Sequence, residues 1–202
     1  MLADASVLRN FGILGWADQL VALAGGNVYV AHGVMGVADD EPGELEGIRA
    51  SIEDESIRNP GSPAATAATV ALVGLDALLN RRSVDVTVLT PTGDELAVAV
   101  RLQDREERAW RQALGIRARR LDAGEAVSIA IATNRDFAFA SDDDDARVAY
   151  MALGGHTHVW TLDLIRKAMR QGLLDDHTAR TGYNALRTHY RFWGPPWPPG
   201  PD

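Results

Sequence analysis

The β-capable runs of this chain are short, and each leads into a stretch of helical character. They cover residues 1–3, 27–30, 84–89, 137–141 and 157–160. Strands that alternate with helices pair in parallel, because a parallel partner needs a long crossover. A parallel sheet built this way is covered by helices on both faces. The expected fold is therefore α/β, a three-layer α/β/α sandwich with a central parallel sheet of about four to five strands. Ligands of such sheets bind outside the carboxyl ends of the strands, which selects the residues to inspect. The first strand is marginal. Only three apolar residues precede Asp4, whereas a buried strand ordinarily takes about four to eight.

The helical stretches fall at residues 6–24, closed by Gly25 and Gly26, then at 32–37, 44–56, 64–79 and 92–115. Others fall at 122–133, 143–153, 161–171 and 175–190. Asn59-Pro60-Gly61-Ser62-Pro63 is a turn. The expected organisation is one domain over residues 1–190, with a helical insertion at 39–83 and a Pro/Trp-rich tail at 191–202. That tail should be extended and polyproline-like. With 46% hydrophobic and 24% charged residues the chain can build a core. Its net charge of −8 disfavours binding to duplex DNA through bulk charge. The absence of cysteine excludes disulfides, thiolate zinc sites and thiol nucleophiles. No apolar run approaches the roughly 18 residues of a membrane span, and no signal peptide is visible. A cytoplasmic location without membrane contact is the default expectation. There is no Gly-rich phosphate loop, dinucleotide fingerprint or Gly-x-Ser-x-Gly elbow.

Acidic residues gather at the expected site edge. Asp4 follows strand one. Asp142, Asp143, Asp144 and Asp145 follow the strand ending at Ser141. Glu125 opens the helix before that strand. Two carboxylates 4 Å apart repel by about 4 kcal/mol at an effective dielectric near 20. A site with several of them calls for a hard divalent cation, Mg²⁺ or Mn²⁺ rather than zinc. Capping chemistry competes with this reading. Asp122-x-x-Glu125 has the pattern of a capping box, and Ser141-x-x-Asp144 is a looser version. Asp4 is harder to explain structurally, since a carboxylate buried between apolar neighbours is costly. His156-x-His158 lacks a third metal ligand and reads as structural. Trp193 and Trp197 in the tail either stack on bases or fold back onto the body.

Four segments in order resemble the PIN-domain family of metal-dependent ribonucleases. They are Asp4-Ala-Ser6-Val-Leu-Arg9-Asn10-Phe11, Leu121-Asp-Ala-Gly-Glu125-Ala, Phe139-Ala-Ser-Asp142-Asp143, and Trp160-Thr-Leu-Asp-Leu164 with Gln171-Gly-Leu-Leu174. The resemblance implies RNA phosphodiester hydrolysis in an acidic cleft holding Mg²⁺ or Mn²⁺. Carried over, Asp4, Glu125 and Asp143 are catalytic metal ligands, with Asp142 as an alternate. Ser6 supports Asp4, and Asn10 lies near the rim. Substrate RNA would meet Arg9, Arg117, Arg119 and Arg120, with Arg135 and Arg147 as further candidates. The resemblance also implies a toxin neutralised by an antitoxin protein, and a homodimer is compatible with it. One departure stands out: Val37 occupies the place of the acid usually found after strand two, with Asp39, Asp40 or Glu41 as shifted substitutes. The alternative is a PIN-like fold that binds nucleic acid or protein without cleaving. A third reading is local capping chemistry on another α/β fold.

Overall fold

The computed structural model describes residues 1–36, 42–58, 60–81, 85–104, 106–116, 121–190, 192 and 194–197. In chain order the elements begin with β1 (Leu2–Ala3), α1 (Ala5–Ile13), α2 (Ala17–Leu23), β2 (Val28–Ala31) and α3 (His32–Met35). Then come α4 (Glu44–Arg58), α5 (Pro63–Leu79), β3 (Val86–Leu89), α6 (Gly93–Gln103), α7 (Arg108–Ala113) and α8 (Ala123–Asn134). The last are β4 (Phe139–Ala140), α9 (Asp144–Ala152), β5 (His158–Val159), α10 (Thr161–Arg170) and α11 (Asp176–His189).

The five strands form one parallel sheet in the order β3-β2-β1-β4-β5. The expected fold class and strand number are what is found. β1 survives at two residues because it is central and bonded on both sides. Leu2 N donates to Ala138 O at 2.9 Å, Tyr29 N to Met1 O at 3.0 Å, and Asp4 N to Ala140 O at 2.9 Å. Its side chains are fully buried, as are those of β4, so the centre of the sheet is apolar on both faces. Parallel crossovers are right-handed, so the helices between β1 and β3 cover one face. Those between β3 and β5, running back across the sheet, cover the other. The packing follows suit: α1 meets α4 and α5, and α8 meets α6 and α9. α10 closes the first face against α1, α2 and α11.

Two long helices expected from the sequence are each broken. Residues 6–24 split at Gly15, which has φ +69°. Gly15 N donates to Gly12 O at 2.9 Å and Trp16 N to Phe11 O at 2.8 Å, the paired bonds of a Schellman cap. Residues 92–115 split at Asp104, whose Oδ1 accepts from Glu106 N at 2.8 Å. That short-range bond replaces a helical one. The described part of the tail folds back. Trp197 stands edge-on to Tyr183 at 5.4 Å, and Tyr183 donates its hydroxyl to Pro195 O at 2.8 Å. No helix among the described residues is long and apolar enough to cross a membrane.

Candidate functional site

The strand order reverses direction between β1 and β4, the topological switch point where open α/β sheets place ligands. Asp4 follows β1 there, and Ser141, Asp142 and Asp143 follow β4. A cavity of about 600 Å³ opens at this edge, with Ser6, Asn10, Glu125, Asp142 and Asp143 in its wall.

Asp4 is buried behind Ser6 at this edge, 2% exposed. Its Oδ2 accepts from Ser141 Oγ at 3.2 Å and from Ser6 Oγ at 3.4 Å. Its Oδ1 is buried with no partner among the described residues. Burial, then the Glu44 charge, push its pKa up to about 7. The same hydroxyls tie the two strand ends together: Ser6 accepts from Asp142 N at 3.0 Å and Ser141 from Asp143 N at 3.1 Å. Ser6 thus donates to Asp4 and accepts from the Asp142 amide.

Glu125 reaches the cleft from the first turn of α8. Its amide donates to Asp122 Oδ1 at 2.7 Å, and its Oε2 accepts from Asp122 N at 3.2 Å. The capping box is therefore real, yet only one oxygen of Glu125 serves it among the described residues. Burial first, then the charges of Asp122, Asp143 and Asp4, raise its pKa to about 8. Asp143 divides its carboxylate in the same way. Oδ1 caps α9 by accepting from Asp145 N at 2.7 Å and Ala146 N at 3.0 Å.

Asp142 differs. Oδ1 accepts from Thr161 N at 2.8 Å, and Oδ2 accepts from Asn10 Nδ2 at 2.9 Å and from the Thr161 hydroxyl. Both oxygens are engaged, so Asp142 joins β4 to α1 and α10. Asn10, expected near the rim, is 1% exposed and belongs to this buried link. Asp144 pairs with Arg147 at 2.7 Å, and Arg135 pairs with Glu95 at 2.7 Å. Neither arginine is a free rim cation. Arg9 does line the cavity, with its guanidinium donating to Tyr190 O. Arg117, Arg119 and Arg120 lie outside the described residues, as do Val37, Asp39, Asp40, Glu41 and Trp193. His156 is exposed, 3.6 Å from Asp136, and burial pushes His158 down to about 4.

One acid at the site escaped the sequence reading. Glu44 opens α4, and its charge raises the pKa of Asp4. Partial burial and the Asp122 charge raise its own. A Cβ placed on Gly124 would sit 3.2 Å from its Oε2, so the carboxylate overhangs the start of α8. Gly43 makes this possible. A Cβ there would lie 2.6 Å from Val34 O and 2.5 Å from Met35 C, so only glycine passes this close to the end of α3. The signal available in the sequence was the Gly-Glu pair at the head of an acidic helix.

The acids stand apart as placed. Among the described residues, no three carboxylates or imidazoles already form a cage around one point. Unscreened carboxylates repel, and here they relieve that repulsion by raised proton affinity. The donor set still fits a hard divalent ion: all ligand atoms are oxygen, one is a buried orphan, and two further acids keep an uncommitted oxygen. No protein-family model, curated protein or solved structure matches this chain. Fold and site together define an α/β protein with an acidic cleft at the switch point of a parallel sheet.

Proposed function

We propose that this chain is a Mg²⁺- or Mn²⁺-dependent ribonuclease of the PIN-like kind that its sequence resembles. The observation that carries the proposal is that Glu125 and Asp143 line one cavity, with Asp4 buried behind Ser6 and Glu44 beside Gly124, near enough for their charges to couple. Capping accounts for Asp143 and part of Glu125. It does not account for a fully buried aspartate with an orphan oxygen; Glu44 is an exposed first-turn acid of α4 whose charge reaches Asp4.

Asp4, Glu125 and Asp143 would hold the cation, with Glu44 filling the place that Val37 leaves empty. The chemistry such an ion supplies when bound is polarisation of the scissile phosphate and a lowered pKa for water. The chain's own contribution is placement. Ser6 and Ser141 fix Asp4 in one orientation, and the Asp142–Asn10–Thr161 link locks the two strand ends beside it. Glu125 and Asp143 keep an oxygen each for the cleft. Asp4 and Glu125, whose affinities burial raises to about 7 and about 8, could accept a proton from water when left free of the cation. A toxin role, an antitoxin partner and a homodimer follow from the resemblance alone.

The test is cleavage of labelled single-stranded RNA in Mg²⁺ or Mn²⁺ by wild type, Asp4→Asn and Glu44→Gln. Cleavage that EDTA abolishes and both variants lower by at least tenfold supports the proposal. Folded wild type that binds Mn²⁺ but cleaves nothing favours the binding-module alternative. Equal cleavage by all three proteins removes the acids from the chemistry.

A further inference from the structure

The cavity has a second wall that the acids do not explain. α10 turns Leu162, Asp163 and Arg166 towards it, with Trp160 at the head of the helix. The returning tail adds Phe192, Gly194 and Pro195. Tyr183 holds this tail through Pro195 O, and Phe192 meets Tyr183 edge-on at 5.6 Å. Seven arginines elsewhere on this acidic chain are matched by acids, although Arg108, Arg111, Arg170 and Arg187 form no ion pair among the described residues. Arg49, Arg58, Arg81, Arg101, Arg135, Arg147 and Arg180 all pair with carboxylates. Arg9 and Arg166, the two arginines of the cavity, form no ion pair among the described residues. Trp160 is half-buried and braced at 5.3 Å by His158. Because His158 is held neutral by burial, that brace adds no competing cation.

Two guanidinia outside any ion pair, Arg9 also donating to Tyr190 O, and an aromatic ring beside clustered acids are the recognition chemistry of an unpaired nucleotide. Guanidinium meets phosphate, and an indole offers a stacking surface to any base. We propose that Arg9, Arg166 and Trp160 form a subsite for a single-stranded polynucleotide, seating a nucleotide that neighbours the scissile phosphate. The substrate class rests on the phosphodiesterase reading above, while the subsite itself requires no cation. A cavity of about 600 Å³ is of small-ligand size. It admits one unstacked nucleotide and excludes a duplex, whose bases present no free faces. The tail, held by the Tyr183 hydroxyl and by Phe192 N donating to Leu186 O, supplies part of the wall.

The experiment is fluorescence anisotropy of short labelled oligonucleotides, single-stranded RNA, single-stranded DNA and duplex, in EDTA over a salt series. The proteins are wild type, Trp160→Ala, Trp160→Phe, Arg166→Ala and Arg170→Ala, each checked by circular dichroism. Trp160→Ala should weaken single-strand binding roughly 5- to 100-fold, and Trp160→Phe should restore most of it. Arg166→Ala should weaken binding and flatten the slope of log K against log salt by about 0.7, one phosphate contact on a single strand. Arg170, on the same helix outside the cavity, should change neither. Tighter binding of RNA than DNA would assign the strand to RNA, and equal binding would extend the site to either sugar. Wild-type affinity and salt slope in both Trp160→Ala and Arg166→Ala would overturn the subsite, as would duplex binding equal to single-strand binding, or no binding at all. Binding as expected without Mg²⁺-dependent cleavage would instead overturn the phosphodiesterase reading and leave the subsite standing.

Discussion

Replacing Asp4 by asparagine keeps the side chain's shape and an acceptor for the Ser141 and Ser6 hydroxyls while removing the charge. In the folded wild type the carboxyl stays protonated up to a pH of about 7, whereas its ordinary value is 3.8. Between those values the folded chain binds more protons than the unfolded one, so stability falls as pH rises. The contribution is complete below pH 3.8 and gone once pH has climbed through 7. The span from 3.8 to about 7 corresponds to roughly 4 kcal/mol at most. Asp4→Asn escapes this loss. Wild type and variant should have similar stability near pH 4, and the variant should be the more stable at pH 8.5 in EDTA. At about 2–4 °C per kcal/mol for a chain of this length, the gap in Tm is of order 10 °C. Mg²⁺ should then raise the wild-type Tm and leave the variant unchanged, since only a ligand that binds the folded form stabilises it. Thermal melts at several pH values, with EDTA and with Mg²⁺, read all of this. A difference between the two proteins that stays constant from pH 4 to 8.5 would refute the reasoning, because a buried, charge-strained carboxyl cannot behave so.

The other expectations are structural controls on the same site. Glu125→Gln should move stability in the same direction as Asp4→Asn, with a smaller effect because Glu125 is more exposed; the same melts compare them. Gly43→Ala forces a Cβ against Val34 O and Met35 C and should cost about 1–3 kcal/mol by urea unfolding, displacing Glu44 from the cleft. Arg135→Ala leaves the buried Glu95 without the partner that holds its pKa at about 2, and should cost about 3–5 kcal/mol. The stability that the wild-type pair supplies is present above pH 4.5 and lost as pH falls through 2, so the gap between wild type and this variant should be widest near neutral pH and close towards pH 2. Tyr183→Phe removes the hydroxyl bond to Pro195 O, and should speed proteolytic cleavage of the tail without altering the far-ultraviolet spectrum.

The sheet was legible because its signal is redundant. Each strand is an apolar run with a helix after it, and parallel connections permit little else. The positions of Asp4, Asp142, Asp143 and Glu125 followed from that alone. What escaped depends on single local bonds. Leu14-Gly15 sits in a run whose apolar spacing continues past it, and only the paired bonds to Phe11 and Gly12 reveal a cap. Asp104 sits in a charged run of good helix formers, and one side-chain bond to Glu106 N ends the helix. Glu44 was hidden for a different reason. Its approach to Asp4 depends on Gly43 packing against the end of α3, and sequence separation carries no information about that contact. Arg166 and Trp160 escaped because the sequence does not say where the tail returns, and the tail completes the wall they face.

Capping and ligand roles are usually weighed as rivals for the same carboxylate, but a carboxylate has two oxygens, and at Glu125, Asp143 and Asp4 the fold's own hydrogen bonds among the described residues take only one of them. Glu125 commits Oε2 to the amide of Asp122, Asp143 commits Oδ1 to the start of α9, and Asp4 commits Oδ2 to two serines. Each commitment fixes the side chain's direction at a net worth of about 1 kcal/mol. Each also leaves the second oxygen aimed by bonds that the fold needs anyway. Asp142 spends both oxygens on Asn10 and Thr161, which is why it holds the strand ends together while its neighbour Asp143 faces the cleft. Adjacent aspartates identical in sequence thus acquire different work from the number of donors each one meets. The capping pattern at residue 122–125 argues for a functional Glu125 as much as against one, because an acid held by a cap is already oriented when a ligand arrives.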